Sequence, residues 1–371
     1  MAVTVQVPGY LAARWAMVRA AMRARKVPAL LVSCFADVSY LTGFEGDDSF
    51  LIVTPERMVL ISDFRYEEQI ANEAPWVELV LRSKGMAGEV AKVIGKLRLR
   101  TVGVQAESMT LLQRATLLGE IKNPKKTKLV DISNIIVDLR HVKDAVEIDI
   151  LQRAMDIAEG AFEALRGQIK IGMTENEIAS LLVHEMRKRG ALNSSFDSIV
   201  AVGANGSLPH YRPGNVKLEN HTSLLVDWGA LAQGYCSDLT RVLFVGDISA
   251  KMEEIYKITL EAQLAAIAAI KPGKKARDID KVARDIIGKA GYGKQFGHGL
   301  GHGIGRDIHE TIAFNKLSKV TLKPGMVLTV EPGIYLPGTG GVRIEDDILV
   351  TETGCRVMTK LPKSLESARL M

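Results

Sequence analysis

Leu224-Leu225-Val226-Asp227-Trp228-Gly229-Ala230 carries an apolar run to an aspartate and then turns on glycine. Such a run, bounded by a turn signal, reads as a buried strand. Eleven residues after that aspartate, Asp238 stands in Tyr235-Cys236-Ser237-Asp238-Leu239-Thr240-Arg241. Gly229 and Gly234 lie between them and let the chain fold back as a hairpin-like loop. Two adjacent strands could then aim both carboxylates at one spot. Anions held that closely repel each other unless a cation sits between them. On this stretch alone, two unrelated strand-end aspartates remain the alternative.

Further along, Gly297-His298-Gly299-Leu300-Gly301-His302-Gly303-Ile304-Gly305 is followed by His309-Glu310, so three of the seven histidines fall within twelve positions. Glycine lets a backbone pass close to a ligand and bares the neighbouring imidazoles. A phosphate-cradling loop is the other use of so many glycines, but no Lys-Ser/Thr pair follows them. Met326-Val327-Leu328-Thr329-Val330-Glu331-Pro332-Gly333 then brings a carboxylate out of an apolar strand. Fourteen residues later, Gly341-Val342-Arg343-Ile344-Glu345-Asp346-Asp347 does the same. A charge in such a strand is expensive unless paired or metal-bound. An edge position facing water is the alternative, and it suits Asp346 or Asp347 better than Glu345.

Together these segments offer four carboxylates, Asp227, Asp238, Glu331 and Glu345, and one imidazole, His302. Oxygen-rich ligation favours a hard or borderline divalent ion, manganese first, with cobalt or zinc behind. Four carboxylates could neutralise two dications, and a pair about 3.5–4 Å apart can activate a shared water near neutral pH. His210 and His309 are then left to serve the substrate or its transition state.

The rest of the chain frames this region. A length of 371 residues suits about two domains. Hydrophobic content of 47% with 25% charged residues describes a globular protein and excludes a disordered one. The net charge of +5, from 48 basic and 43 acidic groups, is small and dispersed. The basic stretches 122–128 and 271–277 read as solvated loops, so no nucleic-acid partner is expected. Cys34, Cys236 and Cys355 form neither a disulfide framework nor a CxxC motif, which points to a reducing, cytoplasmic interior. Residues 1–9 lack a signal pattern, and no apolar run is long enough for a bilayer, so no membrane partner is expected.

Helical spacing predicts helices over 10–26, 143–167, 175–189, 251–270 and 276–290, with shorter ones near Glu67, Glu89 and Leu111. Thr174-Glu175-Asn176-Glu177 has capping-box spacing. Strands are expected at 29–33, 50–54 and 58–61 and around Val77 and Val102. These elements describe an α/β domain with a mixed sheet ending near Asn123-Pro124-Lys125, with 133–140 as a connector. The domain boundary is set at 130/131. Two helix pairs, each followed by strands, hint at a duplication without a readable residue repeat.

The motifs resemble the pita-bread metallopeptidase family, in its aminopeptidase P and prolidase branch. Asp37-Val38-Ser39-Tyr40-Leu41-Thr42-Gly43-Phe44 and Ser62-Asp63-Phe64-Arg65-Tyr66 are similar to its creatinase-type amino-terminal domain, so the likeness covers nearly the whole chain. It implies an α/β creatinase-like domain over 1–130 and an α+β pita-bread catalytic domain over 131–371. The implied activity is hydrolysis of Xaa-Pro bonds, at peptide amino termini or in dipeptides, by two divalent metal ions. Asp227, Asp238, His302, Glu331 and Glu345 are the implied ligands, with Asp238 and Glu345 bridging and Glu331 also the base. His210 and His309 would steady the substrate carbonyl and tetrahedral intermediate. His298 would lie near the leaving proline, and Arg343 would orient the acidic ligands. A homodimer is implied too.

The chain departs from the family at two points. Arg306 replaces an aliphatic residue, and Thr311-Ile312-Ala313-Phe314-Asn315 follows His309-Glu310 where a proline is usual. The arginine with which some prolidases grip a dipeptide's carboxylate is absent from its usual place. A metal-independent creatinase-like hydrolase and a non-catalytic peptide-binding module are the alternatives on the same fold. Degraded ligands would mark either, and all five are kept.

Overall fold

The computed structural model describes residues 6–122 and 125–370. The chain divides after Arg140 into two compact units.

In the first unit, six strands form one mixed sheet in the order Glu78–Leu81, Met58–Ser62, Phe50–Val53, Leu30–Val32, Thr101–Gln105 and Lys128–Ile132. Phe50–Val53 is antiparallel to both its neighbours, and the other three pairings are parallel. Successive strand side chains point to opposite faces. Leu30 and Val32 therefore meet Val18 and Met22 of the helix Gly9–Ala24 and Val38 and Leu41 of Phe35–Thr42. Leu31 meets Val90 and Val93 of Met86–Lys96 and Leu117 of Leu111–Glu120 on the other side. The expected mixed α/β domain is thus present. Its end lies further on than the expected 130/131, because Lys128–Ile132 is an edge strand of this sheet and a short helix, Val137–Arg140, follows it. Asn123 and Pro124, where the domain was expected to finish, lie outside the described residues.

The second unit opens with the helices Ala145–Arg166 and Glu175–Lys188, each started by a capping box, Asp144 with Glu147 and Thr174 with Glu177. An antiparallel sheet follows, made of Ile199–Val202, Thr222–Trp228 and Leu239–Val245. After a second helix pair, Ala250–Ala269 and Ala276–Lys289, comes a five-stranded antiparallel sheet. It runs Glu310–Phe314, Gly301–Gly303, Val327–Val330, Asp346–Val350 and Cys355–Val357. The two sheets meet at a bridge between Thr240 and Glu345. Arg241 reinforces the junction, donating to the Glu345 carbonyl at 2.6 Å and to Asp346 Oδ1 at 2.7 Å.

Alternation decides where the first aspartate points. Leu224, Val226 and Trp228 pack on Phe162, Leu165, Ile178 and Leu182 of the first helix pair. Leu225, Val242 and Phe244 face Ile255, Tyr256, Ile279 and Ala283 of the second. Asp227, two residues beyond Leu225, shares that second face and turns away from Trp228. Trp228 itself is fully buried, stacks on Phe162 at 4.3 Å between ring centroids and donates to the Ala158 carbonyl at 3.0 Å. Trp228→Ala should therefore destabilise this unit by about 3–5 kcal/mol, and Trp228→Phe by less than half as much. Calorimetry of the full chain, following the transition that belongs to residues 141–371, checks this.

Candidate metal centre

The strands Thr222–Trp228 and Leu239–Val245 pair in register, Asp227 opposite Thr240 and Trp228 opposite Leu239. The hairpin expected from Gly229 and Gly234 is present, and Asp238 sits immediately before the returning strand. His302 is the middle residue of Gly301–Gly303. That strand lies so close to Thr329 that a Cβ on Gly301 would come 2.0 Å from the Thr329 carbonyl oxygen. Only glycine permits the approach. Glu331 follows Val327–Val330 directly, and Glu345 lies between Gly340–Arg343 and Asp346–Val350.

These segments converge. One potential ligand atom from each of Asp238, His302 and Glu345 lies within 4.8 Å of the others. His302 Nε2 is 3.5 Å from both Asp238 Oδ2 and Glu331 Oε1. Asp227 joins through Arg343, which is ion-paired with Asp227 Oδ2 and donates to Thr240 Oγ1 at 3.0 Å. The Thr240 hydroxyl in turn donates to Glu345 Oε2 at 2.6 Å. Thr329 accepts from the His302 backbone N–H at 3.1 Å and donates to Glu331 Oε1 at 3.3 Å. All five expected ligands, with Arg343, line one cavity of about 520 Å³.

The electrostatics call for a cation. Burial, then the charges of Asp227 and Asp347, pushes the Asp238 carboxyl well above the usual carboxylate range. Burial does the same to Glu345, followed by Asp238, Glu331 and Asp227. Glu331 is raised by burial, with His302 and Arg343 offsetting part of it. Meanwhile Asp227 Oδ1 and Glu345 Oε1 are buried with no hydrogen-bond partner. Buried acceptors are seldom left so. Carboxylate oxygens with one imidazole form the donor set of a hard or borderline divalent ion, and these side chains fit one. His302 Nδ1 donates to the Gly303 carbonyl at 3.1 Å, which leaves Nε2 free to ligate.

The other three histidines also line the cavity, but they differ. His298 has both nitrogens occupied. Nδ1 donates to the Gly299 carbonyl at 2.7 Å, so Nε2 accepts from the Tyr335 hydroxyl at 2.9 Å. Burial, then Arg343, pushes its pKa down to about 4, which keeps it neutral. It can therefore offer substrate a ring surface rather than a hydrogen bond. His309 packs edge-on against His302 at 4.3 Å between centroids, and burial, then His302 and His210, lowers its pKa. His210 is exposed at the rim. Arg306 is not part of the lining; its guanidinium lies over the Tyr235 ring at 4.9 Å. Arg212 is the lining cation besides Arg343.

Motif spacing missed Tyr335, which accepts from Arg343 Nη1 at 2.8 Å and so joins Asp227's partner to His298. It also missed Thr240, Thr329 and Asp347, whose Oδ2 accepts from the Asp238 backbone N–H at 3.1 Å. The available signal was a hydroxyl at an inward position of a largely apolar strand, in Leu239–Val245 and in Val327–Val330.

Residues 149–352 match the model of metallopeptidase family M24, and residues 14–142 that of the creatinase/prolidase N-terminal domain. An Xaa-Pro dipeptidase from Pyrococcus furiosus is 43% identical over 246 residues, 66% of this chain and 70% of that protein. Among solved structures, an Xaa-Pro dipeptidase from Bacillus anthracis superposes with a TM-score of 0.92 at 39% identity, covering 96% of this chain and 99% of that one. An X-Pro aminopeptidase from Thermotoga maritima gives 0.87 at 36% identity, covering 93% and 99%. With its creatinase-like first domain and pita-bread second domain, the chain belongs to metallopeptidase family M24, in the branch of the prolidases and aminopeptidase P.

Proposed function

We propose that this protein is a dinuclear metal-dependent exopeptidase that hydrolyses the Xaa-Pro bond, in dipeptides or at the amino terminus of longer peptides. The observation that carries the reading is the meeting of Asp238, His302 and Glu345 within ligating distance, beside buried carboxylate oxygens that lack any partner. The names of the relatives support it. Asp227, Asp238, His302, Glu331 and Glu345 would hold the ions, with manganese the preferred metal. Bound there, such ions polarise a carbonyl and lower the pKa of water.

The chain's own groups do the rest. Glu331, with burial raising its proton affinity, is placed to take a proton from the attacking water and hand it to the leaving proline nitrogen. His210 and His309 would donate hydrogen bonds to the oxygen that becomes negative. Their ring nitrogens have the freedom for this that His298 lacks. His298 and the Tyr335 hydroxyl behind it would give the proline ring a fixed wall. Arg343 keeps Asp227 and, through Thr240, Glu345 in place. The three cysteines are thiols rather than disulfides, which supports a reducing, cytoplasmic location. No helix of the described residues is long and apolar enough to cross a membrane. The family likeness supports a homodimer.

Three outcomes are expected. EDTA should abolish hydrolysis of Xaa-Pro substrates, and titration with manganese should restore it; peptide binding without turnover at full manganese occupancy would instead mark a binding module. Glu331→Gln should lower kcat by at least about a hundredfold with the circular dichroism spectrum unchanged. Wild-type turnover in that variant would remove Glu331 from the mechanism. Finally, because Ala313 stands in the cavity lining without any cation from that segment, manganese-loaded enzyme should cut both an Xaa-Pro dipeptide and an Xaa-Pro-Yaa tripeptide, read by chromatography of the products. Cleavage of neither sinks the proposal.

A further inference from the structure

The His210 imidazole makes no hydrogen bond among the described residues, so its aim depends on the backbone that carries it. That backbone is an excursion over 203–213 which leaves the strand Ile199–Val202 and returns at Gly214. It supplies Pro209, His210, Tyr211 and Arg212 to the cavity wall. A free loop of this length would sample many positions.

Both ends are held by one side chain. Glu175 is the first residue of the helix Glu175–Lys188 and is fully buried. Its Oε1 accepts from the Val202 backbone N–H at 2.8 Å and from Asn205 Nδ2 at 2.9 Å. Its Oε2 accepts from the Tyr211 hydroxyl at 2.8 Å and from the Gly214 backbone N–H at 2.9 Å. Asn205 Nδ2 also donates to the Tyr211 hydroxyl at 2.8 Å, closing the network. The helix start itself is stitched to the returning chain, Glu175 N–H to the Val216 carbonyl and Asn176 N–H to the Gly214 carbonyl, both at 3.0 Å. Nothing in the capping box requires this carboxylate, since Thr174 and Glu177 complete that motif without it. A carboxylate with four donors and no cation, taken wholly out of water, is costly to keep. Here it serves two backbone N–H groups and two side chains at once.

We infer that Glu175 is a positioning residue for catalysis, a clamp that closes the 203–213 loop and so aims His210 at the reacting carbonyl. The inference rests on the role proposed above for His210. Glutamine cannot replace the clamp. Tyr211 and Asn205 can turn to offer an acceptor, but backbone N–H groups cannot. An amide at position 175 would therefore face at least one of them with its own NH2. Loosening by an ångström or so in a catalytic loop is enough to lose much of the rate.

The test uses the full-length, manganese-loaded enzyme and an Xaa-Pro dipeptide. Glu175→Gln should lower kcat by roughly tenfold to a hundredfold, with a smaller change in KM, and leave manganese content per chain unchanged. Placed in a His210→Ala background, the same substitution should cost little more, because a clamp acting through His210 has nothing left to aim. Amide hydrogen exchange over 203–213 should speed up. An undiminished loss in the His210→Ala background, or an unchanged kcat, overturns the inference. If Glu175→Gln fails to fold, Asn205→Ala takes its place, since Asn205 is half-buried and outside the cavity lining. It should show a smaller loss that likewise vanishes with His210→Ala, and an additive loss overturns the clamp. Should wild-type enzyme cut no Xaa-Pro bond, the functional proposal fails separately. Exchange alone then decides: unchanged protection over 203–213 in Glu175→Gln overturns the clamp and faster exchange upholds it.

Discussion

The second unit is organised around one electrostatic problem, the burial of Asp227, Asp238, Glu331 and Glu345 in a shared pocket. Two like charges about 4 Å apart repel by about 4 kcal/mol at the effective dielectric of a protein site, and four such groups contain several pairs. Arg343 answers only part of this, because its ion pair is with Asp227 alone. The remaining carboxyls respond in the way buried acids do, with their proton affinities driven up. Protons are one way to relieve the strain and dications are another. The unpartnered Asp227 Oδ1 and Glu345 Oε1 favour the second, since a proton would itself seek an acceptor. A cation bound by the native pocket would stabilise the folded state by mass action.

Every proposed ligand is carried on a strand or directly at a strand's end, and the strands are pinned by apolar packing on their far faces. Leu224, Val226 and Trp228 anchor one sheet on the first helix pair, and Leu300, Leu328, Val330 and Ile348 anchor the other on the second. The two cores fix the ligands, and Arg241 and the Thr240–Glu345 bridge fix the sheets to each other. Threonine is used twice where a hydroxyl must both accept and donate: Thr240 between Arg343 and Glu345, and Thr329 between the His302 backbone and Glu331. The sites of closest backbone approach carry glycine, as at Gly301 against Thr329 and at Gly341, where a Cβ would come 2.1 Å from the Gly206 carbonyl oxygen.

Much of this was legible in the chain itself. Long amphipathic helices and the capping box at Thr174 announce themselves, and so do apolar runs that end in a carboxylate; the second box, at Asp144, emerged only in the structure. The five candidate ligands were readable as carboxylates and an imidazole at strand ends, and they do share one cavity. What escaped was whatever depends on contacts between distant segments. The strand Lys128–Ile132 is short, begins with lysine and is half-exposed; its identity comes from pairing with Thr101–Gln105, which no local pattern reveals. Tyr335 looks like an ordinary strand aromatic until Arg343 and His298 are seen on either side of its hydroxyl. Arg306 stands in the Gly-rich run near the ligands, yet it lies over Tyr235 and not in the cavity wall.

The groups proposed to meet metal and those proposed to meet substrate are therefore built to different rules. The proposed ligands sit on paired strands or at their ends, where a displacement would break ladder hydrogen bonds and open a packed core. The histidines are graded in their freedom. His298 is locked by two hydrogen bonds, and His309 is held against the His302 ring. His210 stands on a loop secured at both ends to Glu175. The loop is also tied to the cavity, since Tyr211 lines it while donating to Glu175, and the Pro209 carbonyl accepts from Arg343 Nη1 at 3.5 Å. What stands clear of these ties is the exposed tip of the segment, His210 and Arg212. The position of Arg212 beside His210 places a charge at the rim.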